Sequence, residues 1–268
     1  MSSHDRYGRE DDSDDRKVET EHEDDRRTHD VYGDDRDETY NEGDLDDRVM
    51  AGGGDDRVNG GDGRDELHGG LGRDELHGEL GDDTVSGDEG DDYLRGEAGN
   101  DRLEGGDGKD DVHGNMGDDT ESGGAGDDWV VGGQGQDDLR GDDGDDLVYG
   151  NLGRDTLSGG EGHDIVRGGQ DSDRLSGDGG DDRLFGDRGD DTLSGGTGAD
   201  AFYFGVGGGR DVITDFSSAE GDRLYLEGDA ARTVAQVGAD VVVTLASGDS
   251  ITLVGVSLQS LPLGWLVD

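Results

Sequence analysis

Gly60-Gly61-Asp62-Gly63-Arg64-Asp65-Glu66-Leu67-His68 is followed without a gap by Gly69-Gly70-Leu71-Gly72-Arg73-Asp74-Glu75-Leu76-His77. The same pattern runs on in unbroken register to Gly195-Gly196-Thr197-Gly198-Ala199-Asp200-Ala201-Phe202-Tyr203. Read in nines it is Gly, Gly-like, any, Gly, any, Asp, any, apolar, any. The sixth position is Asp at every step from Asp47 to Asp200, which is (200 − 47)/9 + 1 = 18 positions. The eighth position is apolar from Val49 to Phe202 with one exception, Glu121. Gly holds the fourth position from Gly54 to Gly198 except at Asp171, and the first from Gly60 to Gly195. Upstream, Leu45 takes a fourth position.

Outside these columns the composition is far from that of an ordinary globular domain. Of 268 residues only 27% are apolar and 56 are Gly, so burial alone does not fold the chain. Asp and Glu number 72 against 23 Lys and Arg, a formal charge of -49 that makes the bare chain repel itself. Its ligands are therefore cations. Nucleic acid is excluded as a main partner, because phosphate binding needs clustered Lys and Arg. There is no Cys, hence neither a disulfide framework nor a thiolate metal site. Met1-Ser2-Ser3-His4-Asp5-Arg6 opens an acidic run without an apolar core, so no cleavable signal peptide is expected. No run approaches the ~20 apolar residues of a transmembrane helix.

Residues 1 to 43 are a charge run in which the nine-residue columns are not evident, and they are expected to be a disordered acidic arm. His22-Glu23-Asp24-Asp25-Arg26 begins like a zinc-protease helix but has Arg26 where the second His is required. From residue 44 to 204 the Gly-rich half of each repeat reads as a turn, with Gly at positions one, two and four permitting positive φ. The x-apolar-x half reads as a three-residue strand with position eight inward. Two repeats make an 18-residue coil, so odd and even repeats build two parallel sheets. Stacked turns then place sixth-position carboxylates one strand spacing apart, a ladder of like charges that needs cations between its rungs. Calcium suits that gap, because it takes six to eight hard oxygen ligands and Gly-rich turns expose carbonyls beside each carboxylate. Zinc favours His or Cys, and magnesium keeps its waters.

These residues resemble the RTX calcium-binding nonapeptide repeats, the right-handed parallel β-roll of serralysin-type proteases, pore-forming toxins and alginate epimerase modules. The resemblance covers roughly residues 44 to 226 and implies an all-β solenoid that folds on Ca2+. In that family second- and fourth-position carbonyls with Asp from one turn, and first- and third-position carbonyls with Asp from the turn one coil away, hold each ion. Gly61, Gly63 and Asp65 would thus face Gly78, Leu80 and Asp83, or the reverse. The carboxylates it implies as ligands are Asp56, Asp65, Asp74, Asp83, Asp92, Asp101, Asp110, Asp119, Asp128, Asp137, Asp146, Asp155, Asp164, Asp173, Asp182, Asp191 and Asp200. The turn glycines implied beside them are Gly61, Gly63, Gly70, Gly72, Gly81, Gly90, Gly99, Gly108, Gly117, Gly126, Gly135, Gly144, Gly153, Gly162, Gly180, Gly189 and Gly198. Nine turns on each edge give a ceiling of 2 × 8 = 16 ions, with weak sites expected near Leu45, Glu121 and Asp171.

Residues 205 to 268 look like the closing segment after such arrays. Strands are expected at Asp200-Ala201-Phe202-Tyr203-Phe204, Asp211-Val212-Ile213-Thr214-Asp215-Phe216 and Asp222-Arg223-Leu224-Tyr225-Leu226, with Asp211, Asp215 and Asp222 as candidates for a last calcium. A hairpin is expected about Ser247-Gly248-Asp249, capping the roll. Leu261-Pro262-Leu263-Gly264-Trp265-Leu266-Val267-Asp268 resembles an uncleaved type I secretion signal, which implies a secreted, extracellular protein. His68, His77, His113 and His163 read as exposed, and no Ser-His-Asp set or phosphate loop appears, so no enzymatic activity is expected. The outer face of the even repeats gathers Tyr93, Trp129, Tyr149 and Phe185, whereas the odd repeats place mostly Thr and Ser outward. Such a face suits an extracellular polysaccharide or a cell-surface partner. The alternatives are a non-catalytic module of a polysaccharide-modifying or proteolytic enzyme, and a calcium buffer.

Overall fold

A computed structural model describes residues 29–228 and 232–267. The acidic run before residue 29 and the last residue of the C-terminal signal-like segment lie outside the described residues. The chain winds into a two-sheet solenoid. One sheet has 14 strands and the other 12, and successive strands alternate between them as far as Arg223–Glu227. Partners in the repeat array are offset by one coil, as in Leu67↔Val85 and Leu76↔Leu94. Twelve strands stacked at ~4.8 Å make a rod on the order of 50 Å long.

The strands are six residues rather than three. Glu66–Leu71 is typical: it starts at position seven of one repeat and ends at position three of the next, with Leu67 and Gly69 buried and their neighbours facing out. The inner surface therefore carries the eighth-position side chain, the sixth-position Asp and the first-position Gly. The first-position Gly has a reason that differs from the one expected. A Cβ on Gly69 would lie 2.2 Å from Oδ2 of Asp74, and one on Gly60 would lie 2.4 Å from Oδ2 of Asp65. That Gly makes room for the carboxylate of its own repeat. Positive φ belongs to positions two and four. Position two keeps a left-handed backbone even where it is Glu79, Asp88 or Asn115, at φ 77, 73 and 77.

Two strands fall inside the stretch expected to be a disordered arm. His29–Tyr32 pairs parallel with Asp47–Gly53 and Thr39–Asn41 with Arg57–Asp62. Val31 lies opposite Val49 and Tyr40 opposite Val58, so the eighth column reaches two repeats further upstream and, among the described residues, the boundary at residue 43 is corrected to 29. Tyr40 is buried there. The apolar column forms two clusters, one from Tyr40 to Val112 and one that begins at Val130. Glu121 sits between them.

Beyond the regular repeats, Arg210–Ile213 and Arg223–Glu227 each add a parallel strand to one sheet. Ser250–Leu253 and Asp240–Leu245 form the hairpin expected about Ser247-Gly248-Asp249, and Arg232–Val237 extends it. This hairpin joins the 14-stranded sheet, while Leu266–Val267 joins the other. Val241, Val243, Ile251 and Leu253 close the core at this end, with Phe216 packed edge-on against Trp265 at 6.1 Å. The cap thus prolongs both sheets, and Trp129 stays 43% exposed on the outer face.

Candidate metal centre

Each turn occupies positions four to six and meets the turns one coil away through two rows of bonds. In the first, the backbone N–H of each sixth-position Asp donates to Oδ1 of the Asp one coil ahead. Asp65 donates to Asp83 and Asp74 to Asp92, both at 2.8 Å. Asp191 and Asp200 donate in the same way to Asp211 and Asp222, each at 3.1 Å, so both ladders gain a rung beyond the regular array. In the second row the N–H of position five donates back to the fifth-position side chain one coil behind, as Arg64 does to Asp46 at 3.0 Å. Sequence reasoning passed over that row. Asp, Asn, Ser and His can all accept there, so the position looks variable. His163 is one such acceptor, taking the N–H of Asp181 through Nδ1 at 2.9 Å.

The first row satisfies only one oxygen of each carboxylate. From Asp47 to Asp200, Oδ2 of every sixth-position Asp is buried and has no hydrogen-bond partner. The cost shows in the proton affinities. Burial first, then neighbouring ladder carboxylates, push Asp65, Asp101 and Asp137 up to about 7 and Asp173 to about 8. A rank of buried, orphaned carboxylate oxygens beside Gly-rich backbone is a hard-oxygen donor set, and a calcium ion fits it.

The implied ligands share neighbouring turns. Gly63 N–H donates to Leu80 O at 2.8 Å, and a Cβ on Gly60 would lie 3.0 Å from Gly78 O, so Gly61, Gly63 and Asp65 lie beside Gly78, Leu80 and Asp83. The tight stacking also explains the fourth-position Gly: a Cβ on Gly81 would lie 1.4 Å from Gly63 O. Leu45 keeps its carbonyl in the corresponding place, 2.2 Å from a Cβ on Gly63. Asp171 takes the left-handed conformation at φ 75, but the bond beneath it, Gly153 N–H to Gln170 O, is stretched to 3.4 Å. At the C-terminal end the three candidates do not gather. Asp211 continues one ladder and Asp222 the other, while exposed Asp215 accepts from the N–H of Gly195 and Gly196 at 3.0 and 2.9 Å.

The RTX calcium-binding nonapeptide repeat, in four-copy blocks, matches this chain eight times between residues 43 and 213. The chain belongs to that family, and its repeats are calcium-binding repeats. No curated protein matches. Among solved structures, the extracellular lipase LipA from Serratia marcescens is similar over 82% of this chain at 20% identity and TM-score 0.33; the chain spans 41% of the lipase. The AlgE6R3 subunit of the Azotobacter vinelandii mannuronan C5-epimerase is similar over 53% of this chain and 78% of its own, at 25% identity and TM-score 0.23.

Proposed function

We propose that this is a secreted, non-enzymatic protein that folds on calcium outside the cell and binds extracellular polysaccharide through the outer face of its 12-stranded sheet. Calcium supports the folding half of this reading, because the metal-free ladder holds buried carboxylates that only cations can relieve. Export in a low-calcium, unfolded state, with the C-terminal segment as a type I signal, follows the same logic.

The observation that carries the binding half is an aromatic row on one sheet only. His77, Tyr93, His113 and Trp129 touch in series at centroid distances of 6.0, 5.8 and 5.5 Å. Further along, Phe185, Tyr203 and Tyr225 stack at 4.5 and 4.7 Å, with Tyr149 in the same column and the Arg167 guanidinium over Phe185 at 4.6 Å. Leu80 and Met116 add exposed apolar surface beside the first group. Flat aromatic faces stack on the apolar faces of sugar rings, and Arg reaches hydroxyl or carboxylate oxygens at the ring edge. A row along a rod matches a linear polymer.

The test is glycan-array and co-sedimentation binding in calcium, comparing the native chain with Tyr93→Ser/Trp129→Ser and with Thr84→Ala/Thr156→Ala on the other sheet. Loss of binding in the aromatic variant alone is expected. Equal binding by all three, or binding that survives in chelator, overturns the reading.

A further inference from the structure

The N-terminal end of the ladder through Asp47 departs from the repeat in two places at once. One coil before Asp47 the sixth column holds His29 instead of Asp, and Glu42 stands where later repeats have the first-position Gly. From Gly60 on the repeats leave no room for a side chain at that first position, because the Asp carboxylate fills it, and the intervening repeat admits only the methyl of Ala51. Here the Glu42 side chain is accommodated and only 1% exposed.

The two changes converge. One nitrogen of His29 and one carboxylate oxygen each of Glu42 and Asp47 lie within 4.8 Å of one another, a spacing one ion can span. His29 Nδ1 is 3.0 Å from the Glu42 carboxylate, and the His29 backbone N–H donates to Asp47 Oδ1 at 3.3 Å. Asp47 is 2% exposed, and its Oδ2 is buried without a hydrogen-bond partner. No other trio of His, Asp and Glu side chains is this close among the described residues. His68 and His77 also touch two carboxylates each, but through opposite ring nitrogens: Glu66 and Asp88 for one, Glu75 and Glu97 for the other. Neither can bring both acids to one ion.

We propose that His29, Glu42 and Asp47 form a site for a zinc-class divalent cation at the N-terminal end of the roll, separate in chemistry from the calcium ladder. An imidazole nitrogen is a poor donor for calcium, which seeks oxygen, and a good one for zinc, which takes His nitrogen and carboxylate oxygen together. Three protein donors leave a fourth tetrahedral position for water. Such an ion would tie residue 29 to residues 42 and 47 and so fasten the coil that has a neighbour on only one described side. It acts as an end clamp.

The experiment uses the full chain held in excess calcium, titrated with zinc chloride, and with cobalt(II) as a visible probe whose absorption reports tetrahedral coordination. Circular dichroism at the same calcium concentration verifies that each variant is folded. One equivalent of zinc is expected to bind without displacing calcium and to raise the melting temperature. His29→Ala and Glu42→Gln should each weaken that binding by about tenfold or more. His29→Asp, which restores the repeat's own residue and so protects the fold, should abolish the cobalt spectrum. His68→Ala, on the sheet without the aromatic row, should leave zinc binding unchanged. Zinc affinity unchanged in His29→Asp, an equal loss in His68→Ala, or stoichiometric exchange of zinc for calcium at this site each overturns the proposal.

Discussion

Replacing Glu121 with Leu should stabilise the calcium-loaded roll. Glu121 takes an apolar position of the eighth column, is 1% exposed, and has no hydrogen-bond partner for either carboxylate oxygen. Burial, and then the nearby charges of Asp137 and Asp119, hold its proton affinity well above the usual carboxylate range. Leu at this position is flanked in the sheet by Leu103 and Leu139, a lining that favours an aliphatic side chain. Burying that side chain contributes about 1.5 to 3 kcal/mol. Removing an unsatisfied buried carboxyl contributes a further ~1 to 3 kcal/mol. The sum, roughly 2.5 to 6 kcal/mol, corresponds to a rise in melting temperature on the order of 10 °C for a domain of this size. Leu would also join the cluster that ends at Val112 to the one that begins at Val130, so the transition should steepen. Thermal unfolding by circular dichroism in saturating calcium reads both effects. Glu121→Gln, which removes the charge but keeps unsatisfied polar atoms, should gain much less. A lower melting temperature for Glu121→Leu would refute the reasoning, because it would mean that the carboxylate holds something the core needs.

Asp171→Gly should relax the strained turn and restore the bond from Gly153 to Gln170, which is 3.4 Å where its neighbour Gly135 to Leu152 is 2.9 Å. A gain of about 1 to 2 kcal/mol is expected, seen as a lower calcium midpoint in circular dichroism; an unchanged midpoint argues against strain at this turn. The ladder carboxylates also fix a pH dependence. Their affinity for protons is raised in the metal-free fold, from 3.8 to about 7 at Asp92 and Asp146 for example. The metal-free roll is therefore least unstable below about pH 4 and loses that stability as pH rises through about 6 to 8. In chelator the strand signal in circular dichroism should therefore be larger near pH 4 than near pH 8, and an equal signal at both would contradict the raised affinities.

The Asp and apolar columns were legible because each asks for one chemistry: a carboxylate at position six and an aliphatic side chain at position eight. What stayed hidden is chemically permissive. Position five accepts a backbone N–H through Asp46, Ser172 or His163 alike, so no single residue type marks it. The first coil was missed because His29, Glu38 and Glu42 break the Asp and Gly columns, while Val31 and Tyr40 alone keep the core period. Asp215 looked like its neighbours Asp211 and Asp222, and only the longer connections between the last strands separate them. The reason for the first-position Gly, a clash with a carboxylate five residues later, needs coordinates to be seen.

The stacking direction of the strands has a mechanical consequence. Backbone bonds between coils run along the rod, so tension applied to its ends loads them in series, and one coil can peel away while the others hold. Each released coil of 18 residues lengthens the chain by roughly 55 Å once extended. The roll would pay out in equal steps at a force set by one coil's contacts and one coil's ions. Dissolved calcium then sets that force, and a chain anchored at both ends becomes a spring whose stiffness follows the salt around it.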